Sequence, residues 1–320
     1  MPPFLQVNDQ YCVLGLETVA TQGVQLPLVF SDTFQLVDAC PVEPNEQWKE
    51  DKGRLFWQAV DDTRCFLVFR QPGNDPGLLP NDAIKKPAIA FLRGLLLTGI
   101  PWSDGQYLFT GGVHADRTDI RQIQELREFH LDLGLPRADH FDEARLRTAY
   151  DLGKKILALN AGGWNRIARG FHYLWTALIV DWMEDRFHMF IRALDAVVKT
   201  SQGQGRVTFR DRCNSTFLAP HPDNPTALED MYYIRNTIEH IHDLDPEPRR
   251  LADSVARRET RERRLRQLEV LALGVYRRII GDSTLLADLD TDAKIDAFWA
   301  LPDDLRAARW NARIPLDAIV

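Results

Sequence analysis

The stretch Tyr232-Tyr233-Ile234-Arg235-Asn236-Thr237-Ile238-Glu239-His240 brings an arginine, an amide and an imidazole together at helical spacing. These are the groups that metal-independent cleavage of RNA needs. A histidine can carry a proton to or from a ribose hydroxyl. An arginine can hold a phosphate and stabilise the charge that grows on it. On a helix turning about 100° per residue, Asn236 and His240 are i,i+4 partners on one side. Leu228, Met231, Ile234, Ile238 and Ile241 recur three or four apart and mark the opposite, apolar stripe. Tyr233 lies near the polar pair. Arg235 flanks the stripe, and its long stem lets the head reach round. His242 falls close to the stripe. His240 is therefore the candidate for chemistry, and His242 a packed or capping residue. The competing reading of Arg235, Glu239 and His240 is a solvated helix face.

The elements that must position these groups are helical. Their helix is expected over about 226–242, stopped by Asp245-Pro246-Glu247-Pro248. Upstream, 142–159 reads as a helix ended by Asn160-Ala161-Gly162-Gly163. Residues 165–199 read as one long helix carrying two stripes. One is Phe171, Trp175, Leu178 and Trp182; the other is Met183, Phe187, Phe190, Leu194 and Val197. Such a helix belongs deep in a bundle or at an interface. Downstream, Leu265, Leu268, Leu271, Val275 and Ile279 give the Arg-rich helix a buried side. Further helices are expected near Thr291 and at Pro302.

The first 80 residues read differently. Residues 11–16 and 25–30 are short apolar runs bounded by turn residues. Residues 55–60 and 65–69 flank Asp61-Asp62-Thr63-Arg64 as an expected hairpin, with a loop at 71–77 and a helix after Pro87. The fold class is thus α+β: a β-rich domain over 1–140, followed by an all-α domain over 141–320 with its core at 164–280.

Composition narrows the function classes. Hydrophobic residues make up 45% of the 320, enough for a core without staples. Cys12, Cys40, Cys65 and Cys213 form no CxxC pair, which indicates neither a zinc knuckle nor a disulfide framework. The segment Met1 to Gln6 has no basic, apolar leader, and the most apolar run, 171–183, is too short for a bilayer. A soluble cytoplasmic protein without membrane contact is expected. A net charge of −7 argues against broad nucleic-acid binding. Locally, however, residues 249–278 hold ten arginines against four acids. Arg257, Arg258, Arg261 and Arg264 form a candidate RNA-binding row on that helix. Its alternative is a solvated face of i,i+4 pairs.

The motif Arg235-Asn236-x-x-x-His240 resembles that of the HEPN superfamily of helical RNases and nucleotide-binding domains. There an Arg and a His lie on a late helix, often with Asn just after the Arg. The run Asp185-Arg186-Phe187-His188-Met189-Phe190-Ile191-Arg192-Ala193-Leu194-Asp195 and the pair Phe209-x-x-Arg212 resemble the Apea-type branch, in which a largely β domain precedes the HEPN unit. Asp195 stands where relatives more often have Glu. The resemblance covers about 164–280.

It implies a metal-independent endoribonuclease needing no cofactor, acting as a homodimer with two motifs across one cleft. The 2′-hydroxyl would attack the adjacent phosphodiester and leave a 2′,3′-cyclic phosphate. His240 would be general base or acid, Arg235 would neutralise the phosphorane, and Asn236 would position the phosphate or His240. Glu184 or Asp185 would orient these groups, with Tyr233 beside them. Many relatives are bacterial toxins or anti-phage effectors that cut tRNA or mRNA. Residues 1–140 would then act as a sensor or restraint, released by a phage-derived trigger or held by an antitoxin.

Two other readings compete. HEPN-like bundles can also be non-catalytic nucleotide-binding or scaffold proteins. His240-Ile241-His242-Asp243 invites a metal-dependent hydrolase, but Leu244 stands where the His-x-His-x-Asp-His signature needs Asp, and i,i+2 ligands on a helix diverge. There is no Walker A loop, since Gly111-Gly112, Gly162-Gly163 and Gly203-x-Gly205 read as turn glycines, and no G-x-S-x-G elbow. Asp142-Glu143 and Asp303-Asp304 read as helix-start charges.

Overall fold

Val13 sits between Val68 and Phe109 on neighbouring strands, and Leu14 sits between Leu67 and Leu108 on the opposite face. Such a strand is central and buried on both sides, which is why 11–16 reads as an unbroken apolar run. The structure is a computed structural model. It describes residues 4–16, 21–73, 82–99, 106–115, 117–126, 140–161, 164–200 and 203–319. The chain divides into two compact units, with the division in the described chain falling between Leu157 and Ala158.

Among the described residues the first unit holds six strands: β1 (Gln10–Leu16), β2 (Leu28–Ser31), β3 (Phe34–Val37), β4 (Phe66–Gln71), β5 (Gln106–His114) and β6 (Arg117–Leu126). They form one antiparallel sheet in the order β2-β3-β4-β1-β5-β6. Helix α1 (Glu46–Asp62) covers the face that carries Tyr11, Val13, Phe66 and Phe109, using Trp48, Phe56, Trp57 and Val60. Helix α2 (Lys85–Thr98) packs on β1 and β4. Tyr150 of α3 (Glu143–Ala161) stacks on Phe30 and meets Phe34.

Several expectations for this unit change. Residues 55–60 are the second half of α1, not a strand. Phe56, Trp57 and Val60 fall at i, i+1 and i+4, so a helix buries them together and leaves Leu55 77% exposed. Thr63 closes that helix by donating to the Ala59 carbonyl, so 61–64 is a helix cap rather than a hairpin turn. The β5–β6 hairpin lies where no strand was expected. Gly111 and Gly112 lie within β5 rather than a turn; a Cβ on Gly111 would stand 1.8 Å from the Asp119 carbonyl oxygen of β6. The unit division also falls one helix later than 140/141, because 140–157 clusters with the sheet. Residues 74–77 of the expected loop and Gly162-Gly163 lie outside the described residues.

The second unit is helical throughout its named elements. It contains α4 (Arg166–Ile179), α5 (Met183–Val198), α6 (Gly205–Arg212), a π-helical turn (Cys213–Phe217), α7 (Asn224–Glu239), α8 (Ser254–Gly281), α9 (Ser283–Asp288), α10 (Asp292–Trp299) and α11 (Asp303–Trp310). The single long helix expected over 165–199 is two. Val180 and Trp182 are extended, and the chain turns back so that α4 and α5 pack along one another. The two stripes therefore bury each other within one chain. Phe171, Leu178, Phe187, Phe190, Leu194 and Val197 are all shielded, while Trp182 is 72% exposed at the turn. Trp175 and Met183 of the two stripes stay half-buried. Gly205 begins α6 rather than lying in a turn, whereas the helix starts at Thr291 and Pro302 fall where expected. Among the described residues no helix is long and apolar enough to cross a membrane.

Candidate active site

Helix α7 carries the motif. Pro225 occupies its first turn, where a missing N–H costs nothing. Ala227, Leu228, Met231 and Ile234 are buried, as the stripe requires. The helix ends at Glu239, earlier than expected. His240 is its C-cap, and Ile241 adopts a left-handed conformation at φ 56°. The Ile241 N–H donates to the Ile238 carbonyl and the His242 N–H to the Thr237 carbonyl. This is the Schellman closure, with a non-glycine residue at the left-handed position. Two expectations change as a result. Ile241 is 94% exposed instead of extending the stripe, and the His242 side chain is exposed; it caps through its backbone.

One side of α7 opens onto a cleft of about 590 Å³. Tyr233, Asn236, Thr237, His240 and His242 line it from this helix and its end, and Glu247, Arg249 and Arg250 line it from the segment that follows. Among the described residues neither ring nitrogen of His240 has a partner, and its ring centroid is 6.0 Å from that of His242. Tyr233 is 43% exposed, with the Arg206 guanidinium 5.1 Å over its ring and hydrogen-bonded to its hydroxyl. The cleft offers a proton carrier, an amide and an aromatic face. Among the described residues no group of three or more His, Cys, Asp or Glu is arranged to hold a metal ion. A metal at His240 and His242 would thus lack a third protein ligand.

Arg235 faces elsewhere. Its Nη1 donates to Asn236 Oδ1 at 3.0 Å and stands 2.5 Å from Glu239 Oε2, and its Nη2 donates to Glu239 Oε1 at 3.1 Å. Only 13% of the side chain is exposed, and it does not line the cleft. The Arg–Glu pair at i,i+4 fixes the guanidinium, and the guanidinium fixes the amide. With Oδ1 occupied, the Asn236 NH₂ is the end left to donate.

Helix α5 brings His188, Arg192 and Asp195 to the same group. Arg192 lies 3.5 Å from Glu239. Burial pushes the Asp195 carboxyl up to about 6, against the opposing pull of Arg235 and Arg192. Its Oδ1 is shielded from water and has no partner. Burial also lowers His188, helped by the nearby Arg192 and Arg235 charges. Glu184 and Asp185 sit in the first turn of α5. Arg235 is ion-paired with Glu239 and its charge reaches Asp195, whereas Asp185 acts on His188. These neighbours of Arg235 form an i, i+4, i+7 row at 188, 192 and 195 that the spacing alone could have shown.

The expected RNA-binding row is largely spent inside the unit. Arg264 is buried against Asp230 and Gln267. Arg261 is buried and donates to the Leu244 and Glu247 carbonyls. Arg257 donates to the Asp245, Leu251 and Ala252 carbonyls. Arg258 alone of the four is exposed and has no partner among the described residues. Arg249 and Arg250, which the cleft does use, precede that row. In the connecting segment, Phe209 packs on Tyr232, and Arg212 donates to the carbonyls of Val198 and Lys199 at the end of α5.

No family model, no curated protein and no solved structure matches this chain.

Proposed function

We propose that the second unit is a metal-independent endoribonuclease. The observation that carries this reading is the joint presence of Tyr233, Asn236 and His240 on one open cleft, with the Asn236 oxygen held by Arg235. His240 takes the proton of a ribose 2′-hydroxyl as that oxygen bonds to phosphorus. The P–O5′ bond breaks, the 5′-oxygen takes a proton from water, and a 2′,3′-cyclic phosphate remains. The Asn236 amide donates to the reacting phosphate or its ribose. Tyr233 offers a ring on which an unpaired base can stack. In this reading the partners are RNA (tRNA or mRNA) and a second copy of the chain. The protein acts as a toxin or anti-phage effector, and the sheet unit senses the trigger or restrains the site.

The test is incubation of the full chain with total RNA, with and without EDTA, followed by end-group analysis. Cyclic phosphate ends that persist in EDTA and vanish in His240→Ala are the expected result. Ends that vanish in EDTA would transfer the assignment to a metal-dependent hydrolase at His240 and His242. The second reading, a non-catalytic nucleotide-binding or scaffold protein, is favoured by the closure of Arg235 onto Glu239. It predicts RNA or nucleotide binding with no new ends under any condition.

A further inference from the structure

Arg249 is held in an unusual way. Its Nε donates to Glu247 Oε1 at 2.9 Å, and its backbone N–H donates to Glu247 Oε2. The Glu247 carboxylate is buried, and it accepts from Thr237 Oγ1, one turn before His240 on the motif helix. The Glu247 carbonyl is held in turn by Arg261. The stem of Arg249 is thus moored to the element that carries His240. Among the described residues its two Nη groups have no partner, and 79% of the side chain is exposed. It lines the same cleft as Asn236 and His240.

Two other arginines beside this cleft, Arg250 and Arg235, are committed, and Arg206 gives its Nη1 to the Tyr233 hydroxyl without lining the cleft. Arg250 spends its Nε and Nη2 on both oxygens of Asp230. Arg235 spends both Nη groups on Asn236 and Glu239, its Nε is shielded from solvent, and it does not line the cleft. A phosphate is met best by a planar pair of N–H donors presented to solvent. Arg249 presents that pair.

We infer that Arg249 is the cation that meets the RNA phosphate in this cleft, and that Arg235 is a positioning residue acting through Asn236. The inference rests on the ribonuclease reading above and assigns the phosphate contact within that site.

The experiment uses the full chain and two probes of one sequence. A fluorescent 2′-O-methyl oligouridylate cannot be cleaved and reports binding by anisotropy across a salt series; the all-ribose oligouridylate reports cleavage. Arg249→Ala should weaken binding on the order of tenfold, the worth of a charged hydrogen bond. It should also flatten the log–log salt slope by about 0.7, the share of one phosphate on a single strand. Arg249→Lys should restore the slope and only part of the affinity, because the bidentate fork is lost. Arg235→Ala should keep the full salt slope while cleavage falls. Circular dichroism checks the fold of each variant. If Arg249→Ala keeps the wild-type slope and cleavage, or Arg235→Ala loses a phosphate's worth of slope, the inference is overturned while the ribonuclease reading stands. If the wild type neither binds nor cleaves either probe, both fall.

Discussion

Arg264 of α8 and Asp230 of α7 meet inside the helical unit, Nη2 to Oδ2 at 3.0 Å, with 6% and 5% of their side chains exposed. Asp230 also takes both donors of Arg250. One buried carboxylate thus answers two guanidiniums and forms part of the cleft lining beside the motif. Removing it strands charge in a dry place. Asp230→Ala should cost about 3–5 kcal/mol, the usual penalty for breaking a buried pair from one side. Arg250→Ala should cost much less, because Arg250 is 42% exposed and water can replace its partner. Chemical denaturation of the full chain measures both. Equal losses for the two variants would mean that the pair with Arg264 does not carry the difference.

Asp195 should give the helical unit a pH signature. Its folded-state carboxyl is pushed up to about 6, above its unfolded value. The folded chain therefore holds the extra proton, and this group weakens the fold as pH rises from about 4. Above that window the loss is constant. The groups that bear on it are Arg235, Glu239 and Tyr232 from α7, Arg192 from its own helix, the Thr200 side chain just past that helix through a hydrogen bond, and Cys213 from the π-helical turn. His188 is shifted downward, so its contribution runs the other way and is lost as pH falls. The difference between wild type and Asp195→Asn isolates the carboxyl. Asp195→Asn should be more stable at pH 7, by up to about 3 kcal/mol. That gain should shrink toward pH 4. Parallel stability curves for the two proteins across this range would refute the assignment.

Local signals were legible and long-range ones were not. Asn236 and His240 share a cleft, as i,i+4 spacing requires. Strand β1, helix α2 and the starts of α10 and α11 follow from apolar runs and cap residues. The run Leu55 to Val60 fits either period over so short a length, and the sheet face it must cover decides for a helix. The break at Val180 to Trp182 has no proline or glycine to announce it. The direction of Arg235 is set by Glu239 at i,i+4, a signal present in the sequence and passed over. The fate of the α8 arginines was out of reach, because their acceptors are distant in sequence. Asp230 lies 34 residues from Arg264, and the Leu244 carbonyl lies 17 from Arg261.

Ile241 should be a point of stored strain. A β-branched residue at φ 56° pays roughly 1–2 kcal/mol for a conformation that glycine adopts freely. Its side chain is 94% exposed, so little packing is lost on removal. Ile241→Gly should raise stability by about 1 kcal/mol, after the greater flexibility of the unfolded glycine chain is set against the gain. Thermal unfolding reads this directly. A lower midpoint would mean that the isoleucine side chain holds the turn in a way its exposure does not suggest.

The sharpest contrast expected is between the two histidines, which share a cleft but sit differently in the helix end. His240 caps α7 four residues after Asn236, the amide that Arg235 orients. His242 lies past the left-handed turn and contributes its backbone N–H to the cap. Replacing the His242 side chain leaves that hydrogen bond intact, so His242→Ala should barely change stability. On the ribonuclease reading, His240→Ala should lower RNA cleavage by ~10²–10⁴-fold, the usual loss for a positioned acid–base group. Among the described residues neither ring nitrogen of His240 has a partner, so His240→Ala should leave the fold intact as well. His242→Ala should retain most cleavage. Activity lost equally in both variants, with both folded and with EDTA abolishing what the wild type does, would make the two imidazoles a metal-binding pair. Loss in His240→Ala alone, in the presence of EDTA, assigns the proton transfer to that one ring.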